Sequence, residues 1–320
     1  MLAEVITVRR GAIWVSGSTS RKFEMKPAAV LLGVALVFAL IPWVACGRAQ
    51  EGAVAESFPQ ADAGPPRILV TNDDGYSSEG IAALAEALSE FADVLVVAPL
   101  ENESGASQSH RAYKRDSIRV HNVSIGDHLT GYAIDGTPTD CVFLGVKIFG
   151  EDRPYDLVVS GINYGANIGN TYNYSGTVGA AFEALSNGIP SIAVSQSKQR
   201  AEYKTAAEFA ARIARRVLTQ PLEKGVLLSI NIPDGEITCV TAAPPGGSRY
   251  ETKVRPIGES DGDTLYTSER VMIETPDPGT DLWAIKNGCI TLTPLQLDRT
   301  HHPTLESIAG WEPFLESLLN

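Results

Sequence analysis

The sequence predicts an α/β fold: a Rossmann-like, mostly parallel sheet with flanking helices, extended at its C-terminus by strands and loops. Three observations carry this. Apolar runs recur at 68–70, at DVLVVAPL (93–100), at DLVVSGIN (156–163) and at PSIAVSQ (190–196), and continuous runs of branched residues suit strands buried on both faces. Stretches with helical periodicity separate these runs, as βα alternation requires. The runs ending at 71, 100 and 163 lead into or end in polar clusters, the form expected at the carboxyl edge of a parallel sheet, where ligands bind.

The N-terminus stands apart from that pattern. AAVLLGVALVFALIPWVAC, residues 28–46, is an apolar run preceded by Lys26 and followed by small residues, the order of a secretory signal. Residues 1–49 are therefore read as a leader, with Met25 as the expected translation start and removal of residues 1 to about 45–49 on export. Three other fates stay open: retention as a membrane anchor, lipidation at Cys46, and a cytoplasmic protein with a misplaced N-terminus. Periplasmic export is the expectation. Residues 50–66, rich in Ala, Gly, Pro and acids, read as a flexible linker, and the folded body is placed at 67–320.

Within the body, RILVT forms the first strand and Asp73-Asp74-Gly75 stops it. From Gly80, Ile81, Leu84, Ala85 and Leu88 fall at helical spacing, so both acids lie in a strand-to-helix loop. Helices follow at 139–149, 177–188 and 201–220, the last with Tyr203, Ala206, Phe209, Ala210, Ile213 and Val217 on one face. In GTPTD (136–140), Thr137, Pro138 and Asp140 make a helix-capping arrangement. GVLLSINIP (225–233) is another strand. From about 240 the chain turns to loops and antiparallel strands, read as an oligomer-forming extension, before a last strand at CITLTPL.

Charge excludes one class of partner. The 320 residues carry a net charge of -12; residues 1–49 hold six Lys/Arg and two Asp/Glu, which leaves 20 against 36, or -16, for the rest. Such a body disfavours long nucleic acids, whose phosphates demand a basic surface. Cys141, Cys239 and Cys289 are unevenly spaced and read as small buried residues, with no disulfide framework.

The chemistry concentrates where strands end. Asn72-Asp73-Asp74, the loop 101–107 with Ser104 and Ser107, and Ser160-Gly161-Ile162-Asn163 converge on one edge of a parallel sheet. Adjacent carboxylates in a confined loop repel unless a cation or proton intervenes. With a hydroxyl and an amide oxygen they form a hard oxygen set suited to magnesium, manganese or calcium. Ser175, Gly176 and Thr177 open an apolar helix, so hydroxyls and free N–H groups there can meet an anion, or simply cap the helix. Ser175 lies in N-Y-S-G-T rather than in a G-x-S-x-G elbow, and no G-x-G-x-x-G or G-x-x-x-x-G-K-[ST] pattern follows the first strand. His110 reads as an exposed loop histidine, or as the base of a serine esterase built on Ser175.

Taken in order, VTNDDG, AP followed by SGAS, GTPTDCV, DLVVSGIN with GAN, YSGTVGAA and GIPSIAVS resemble the SurE family of stationary-phase survival nucleotidases, from about residue 67 to TPLQLDRT near 300. The resemblance implies a metal-dependent phosphomonoesterase releasing phosphate from nucleoside monophosphates, with one divalent ion per subunit, and a homodimer or homotetramer assembled through C-terminal extensions. By that likeness Asp73, Asp74, Ser104 and Asn163 match the metal ligands, with Asp73 and Asp74 central to catalysis. Ser175, Gly176 and Thr177 match the segment beside the phosphate, and Asn72 and Ser107 are expected to join the phosphate contacts. Membrane contact is expected only through the N-terminal segment. Tyr76-Ser77-Ser78 and the polar loop 108–120 depart from the family pattern and bear on substrate preference. The competing class is an exported, non-catalytic protein that holds a metal and a nucleotide.

Overall fold

The computed structural model describes residues 5–9, 12–16, 64–198, 200, 202–247, 249–260, 262–312 and 318. The apolar run at 28–46, Met25, Cys46 and most of the expected linker lie outside the described residues. The chain divides into two units, residues 1–56 and 57–320. In the first, β1 (Val5–Arg9) and β2 (Ala12–Ser16) pair antiparallel, in a stretch read from sequence as part of the leader. No helix among the described residues is long and apolar enough to cross a membrane.

The second unit runs β3 (Arg67–Thr71), α1 (Glu79–Ser89), β4 (Asp93–Pro99), β5 (Val120–Ile125), β6 (Leu129–Ile134), α2 (Pro138–Leu144), β7 (Leu157–Tyr164), α3 (Gly176–Ser186), β8 (Ser191–Gln196) and α4 (Lys204–Thr219). It continues through β9 (Val226–Ile232), β10 (Cys239–Ala242), β11 (Arg249–Ser260), β12 (Asp263–Ile273), α5 (Asp281–Lys286), β13 (Cys289–Gln296) and α6 (His302–Ala309). A nine-stranded sheet takes the order β10-β13-β9-β8-β7-β3-β4-β6-β5. Its six central strands are parallel, while β5 and β13 each join antiparallel.

The apolar runs are buried on both faces because helices cover both. Ile68 and Val70 of β3 pack with Ile81, Leu84 and Leu88 of α1 and with Ala206, Ala210 and Val217 of α4. Leu69, one residue out of phase, packs with Cys141 and Val142 of α2 and Ala180 and Ala184 of α3. The helix at 139–149 is α2 followed by a π-helical turn, Gly145–Phe149. Its start carries the capping box read from GTPTD: Asp140 N–H donates to Thr137 Oγ1 at 3.1 Å and Thr137 N–H to Asp140 Oδ2 at 3.1 Å.

This winding fixes the place for a ligand. The chain leaves β3 through α1 on one face and leaves the neighbouring β7 through α3 on the other, so a crevice opens between their carboxyl ends.

Three features depart from the sequence reading. The β5–β6 hairpin, turning through Gly126, was not expected; β5 is an edge strand with mostly exposed residues, so no apolar run marks it. Cys239 and Cys289 are joined as a disulfide, because β10 lies parallel to β13 with these two residues in register, Cα atoms 4.5 Å apart. Fifty residues separate them in sequence, and only sheet order reveals the pairing; Cys141 is the buried small residue expected. The α6 helix follows β13, the strand expected to be last, and has no buried residue. Beyond β10, β11 and β12 form the long antiparallel hairpin expected of the C-terminal extension.

Candidate functional site

The loop after β3 is shaped before any charge is considered. Buried Asn72 donates its amide to Gly75 O at 2.9 Å and to Ser78 Oγ at 2.8 Å. Gly75 adopts φ +97°, a left-handed conformation that glycine reaches without strain. Tyr76 N–H then donates to Pro99 O at 2.9 Å, tying the turn to the end of β4. The two acids are thereby held at the head of the crevice.

Asp73 is 3% exposed. Thr177 Oγ1 donates to its Oδ1 at 2.6 Å, and its carbonyl oxygen accepts Glu103 N–H at 2.7 Å. Asp74 accepts Tyr164 N–H on Oδ2 at 2.8 Å and Asn102 Nδ2 on Oδ1 at 3.3 Å, while Asn102 Oδ1 accepts Ser104 N–H at 2.9 Å. The loop after β3 is thus tied to the loop after β4, the end of β7 and the start of α3 through these two acids. Burial pushes the Asp73 carboxyl up from 3.8 to about 6, against the Thr177 hydroxyl, and the neighbouring Asp74 charge adds to the rise. Burial raises Asp74 too, opposed by Tyr164 N–H, Asn102 and the Lys198 charge.

Asn163 is the penultimate residue of β7 and is 8% exposed. Its Nδ2 donates to Gly165 O at 2.5 Å, which leaves the carbonyl oxygen, the end that binds cations, for a ligand. Ser175 caps α3 by accepting Val178 N–H at 3.1 Å. At Gly176 a Cβ would stand 2.8 Å from Asp73 Cβ, so only glycine lets the helix start approach the acid this closely.

A cavity of about 710 Å³ opens here, lined by Asp73, Ser104, Asn163 and Ser175 together with Tyr164, Tyr174 and Lys198. Met272, Glu274 and Lys286 from the C-terminal segment complete one wall. Among the described residues no three His, Cys, Asp or Glu side chains form a metal cluster; a cation at this site would rely on two carboxylates and neutral oxygens.

The expected residues divide accordingly. Asp73, Ser104, Asn163 and Ser175 share the cavity, and Asp74 lies beside it in the same hydrogen-bond lattice. Asn72 does not reach the cavity as a phosphate contact; it is fully buried under the loop it shapes. Ser107 is likewise engaged within the protein: at φ +54° it donates Oγ to Asn173 O at 2.7 Å and N–H to Tyr174 O at 3.2 Å. The Thr177 hydroxyl proton is directed to Asp73 rather than to the open cavity.

His110 is not the exposed histidine expected, nor the partner of Ser175. Its ring nitrogens lie 3.2 Å from Asp140 Oδ1 and 3.3 Å from Glu183 Oε2, which locks the loop to α2 and α3. Sequence reading also missed Asp281, whose buried carboxylate accepts N–H groups of Gly169 (2.8 Å), Gly246 (2.7 Å) and Leu282 (2.6 Å) and fixes the cavity wall. It missed Asn167, bound to Asn231 and Ser195, and Lys198. The only signal for Asp281 is Thr280-Asp281 as a helix start; its distant partners leave no trace in the local sequence.

The family model described as "Survival protein SurE" matches residues 68–252. The chain is similar to the 5'-nucleotidase SurE of Alkalilimnicola ehrlichii, 42% identical over 249 residues that cover 76% of this chain and 94% of the relative. It is 41% identical to a 5'/3'-nucleotidase SurE of Escherichia coli over 77% of this chain and 96% of the relative. The crystal structure of the SurE protein from Aquifex aeolicus superposes with a TM-score of 0.65 at 36% identity, covering 77% of this chain and all of that one. With the family model matched over residues 68–252 and relatives more than 40% identical over most of their length, the chain belongs to the SurE family.

Proposed function

We propose that this chain is a metal-dependent phosphomonoesterase, a 5'/3'-nucleotidase that converts nucleoside monophosphates to nucleoside and inorganic phosphate. The observation that carries the reading is the pair Asp73 and Asp74 at the switch point of the sheet, with Ser104 and Asn163 beside them. The curated names of relatives more than 40% identical support it.

The donors fit one hard divalent cation. Among the described residues Asp73 and Asp74 hydrogen-bond to neutral partners, Thr177, Tyr164 and Asn102, so their combined charge calls for a cation. Asp73, Asp74, Ser104 and Asn163 would hold it through oxygen alone, which suits magnesium or manganese, with calcium as an alternative. Such an ion supplies neutralisation of phosphoryl charge and acidifies water for attack. Thr177 orients Asp73 for that task, and Tyr164 N–H and Asn102 orient Asp74. The opening turn of α3, at Ser175 and Gly176, presents the positive end of a helix dipole to an anion. His110 is engaged by Asp140 and Glu183, which turns it away from Ser175 and favours attack by water, with an Asp nucleophile as the alternative.

The C-terminal hairpin supports assembly. Val254, Ile257, Leu265 and Tyr266 are each more than 40% exposed along β11 and β12, an apolar arm suited to a second copy, so the reading extends to a homodimer or homotetramer. Export to the periplasm with loss of the leader is supported by the Cys239–Cys289 disulfide, a bond that persists in oxidising compartments. Intact-mass measurement of the secreted product tests it: an N-terminus between about 45 and 50 is expected, an acylated Cys46 selects lipid anchoring, and a retained Met25 overturns cleavage.

Profiling phosphate release tests the activity. Several nucleoside 5'- and 3'-monophosphates should be hydrolysed in magnesium or manganese, with little action on phosphodiesters or duplex DNA. Strong diester cleavage with inert mononucleotides would overturn the assignment, and tight nucleotide binding without turnover would select the binding-protein class.

A further inference from the structure

Lys198 lies two residues beyond the end of β8, on the same carboxyl edge as the acids, and lines the cavity with Asp73, Ser104 and Asn163. Its ammonium is 5.6 Å from the centre of the Tyr164 ring, within cation–π range, and Tyr164 is the residue whose N–H holds Asp74. The lysine stem passes over Gly165: a Cβ there would come within 3.0 Å of Lys198 Cε, and the same phantom atom would lie 3.9 Å from Asn163 Nδ2. A glycine at 165 thus leaves the channel through which the lysine reaches the Asn163 turn.

The charges around the cavity isolate this residue. Asp73, Asp234 and Glu274 face Lys198 and Lys286 in the lining, and Lys286 is committed to Glu274 at 2.5 Å. No described carboxylate lies within 4.0 Å of Lys198, although its charge reaches Asp74. One divalent ion balances Asp73 and Asp74; a phosphate monoester then brings two further negative charges into a body of charge -16. A fixed local cation is what such a substrate requires.

We propose that Lys198 is a substrate-positioning residue that holds the non-bridging oxygens of the phosphate dianion, an inference that rests on the phosphomonoesterase reading. Its role is ground-state binding, so its loss raises KM more than it lowers kcat.

The test compares wild type, Lys198→Met and Lys198→Arg, loaded with manganese, in steady-state hydrolysis of a nucleoside 5'-monophosphate and in calorimetric titration with inorganic phosphate. Loss of one charge-assisted contact should raise KM and the phosphate Kd about tenfold. The kcat should stay within about twofold, manganese affinity should be unchanged, and Lys198→Arg should recover most of the loss. High salt should narrow the gap, as screening predicts. Unchanged KM and phosphate Kd in Lys198→Met would overturn the inference, as would a parallel loss of manganese affinity, the mark of a structural lesion. If wild type releases no phosphate from any monoester, the phosphomonoesterase reading falls by itself. The phosphate titration still judges Lys198, with equal affinities refuting its role.

Discussion

Asp73 carries its charge at a cost in the metal-free fold. Its carboxyl is held at about 6, against 3.8 in the unfolded chain, chiefly by burial. The folded state therefore binds the proton more tightly, so metal-free stability declines as pH rises from about 4 to about 6 and stays lower above that window. Asp73→Asn removes the charge and keeps the shape. With chelator present, the variant should be more stable than wild type at pH 8 by on the order of 2 kcal/mol, and the difference should vanish near pH 4; urea unfolding at the two pH values measures it. The substitution that stabilises the protein should also abolish its activity, the behaviour of a functional carboxylate rather than a structural one. Asp73 and Asp74 were legible because two acids stood together at the end of an apolar strand. Asp281 and Lys198 were not, because Asp281 meets Gly169, 112 positions away, and Lys198 matters only once β8 is placed beside β7.

At the scale of elements, the start of α3 and the wall at α5 set the site's precision. Gly176→Ala forces a methyl to within 2.8 Å of Asp73 Cβ, so either the helix or the acid must shift. A displacement approaching 1 Å at a catalytic group costs about a hundredfold; kcat/KM should fall by about that much, while circular dichroism shows the fold retained. Asp281→Ala leaves three buried N–H groups without their acceptor and should destabilise the protein by about 2–4 kcal/mol, read as a lowered midpoint in denaturant. The periodicity of α1 and α4 and the capping box of α2 were readable, because each is written in local spacing. The edge strand β5 and the tertiary anchor His110 were not, because exposure and pairing across α2 and α3 decide them.

At the scale of the whole molecule, a parallel sheet gathers chemistry from separate segments onto one edge, and a disulfide at its far side stabilises it. The disulfide closes a 50-residue separation between β10 and β13, for which constraint of the unfolded chain is worth about 3–4 kcal/mol. Cys239→Ser should lower stability by about that much under oxidising conditions and make the midpoint insensitive to reductant. The sheet was legible from its apolar runs, whereas its order, and with it the disulfide, depends on contacts between strands far apart in the chain. Asp73, Asp74, Ser104 and Asn163 are proposed to hold one divalent ion on which hydrolysis of nucleoside monophosphates depends. The direct measurement is phosphate release from a nucleoside 5'-monophosphate by protein stripped with chelator and then titrated with manganese, for wild type, Asp73→Asn and Asp74→Asn. The expected result is no release when stripped, full recovery in wild type near one ion per chain, and no recovery in either variant. Undiminished release from the stripped wild-type protein, or wild-type turnover by either variant at limiting manganese, would contradict it.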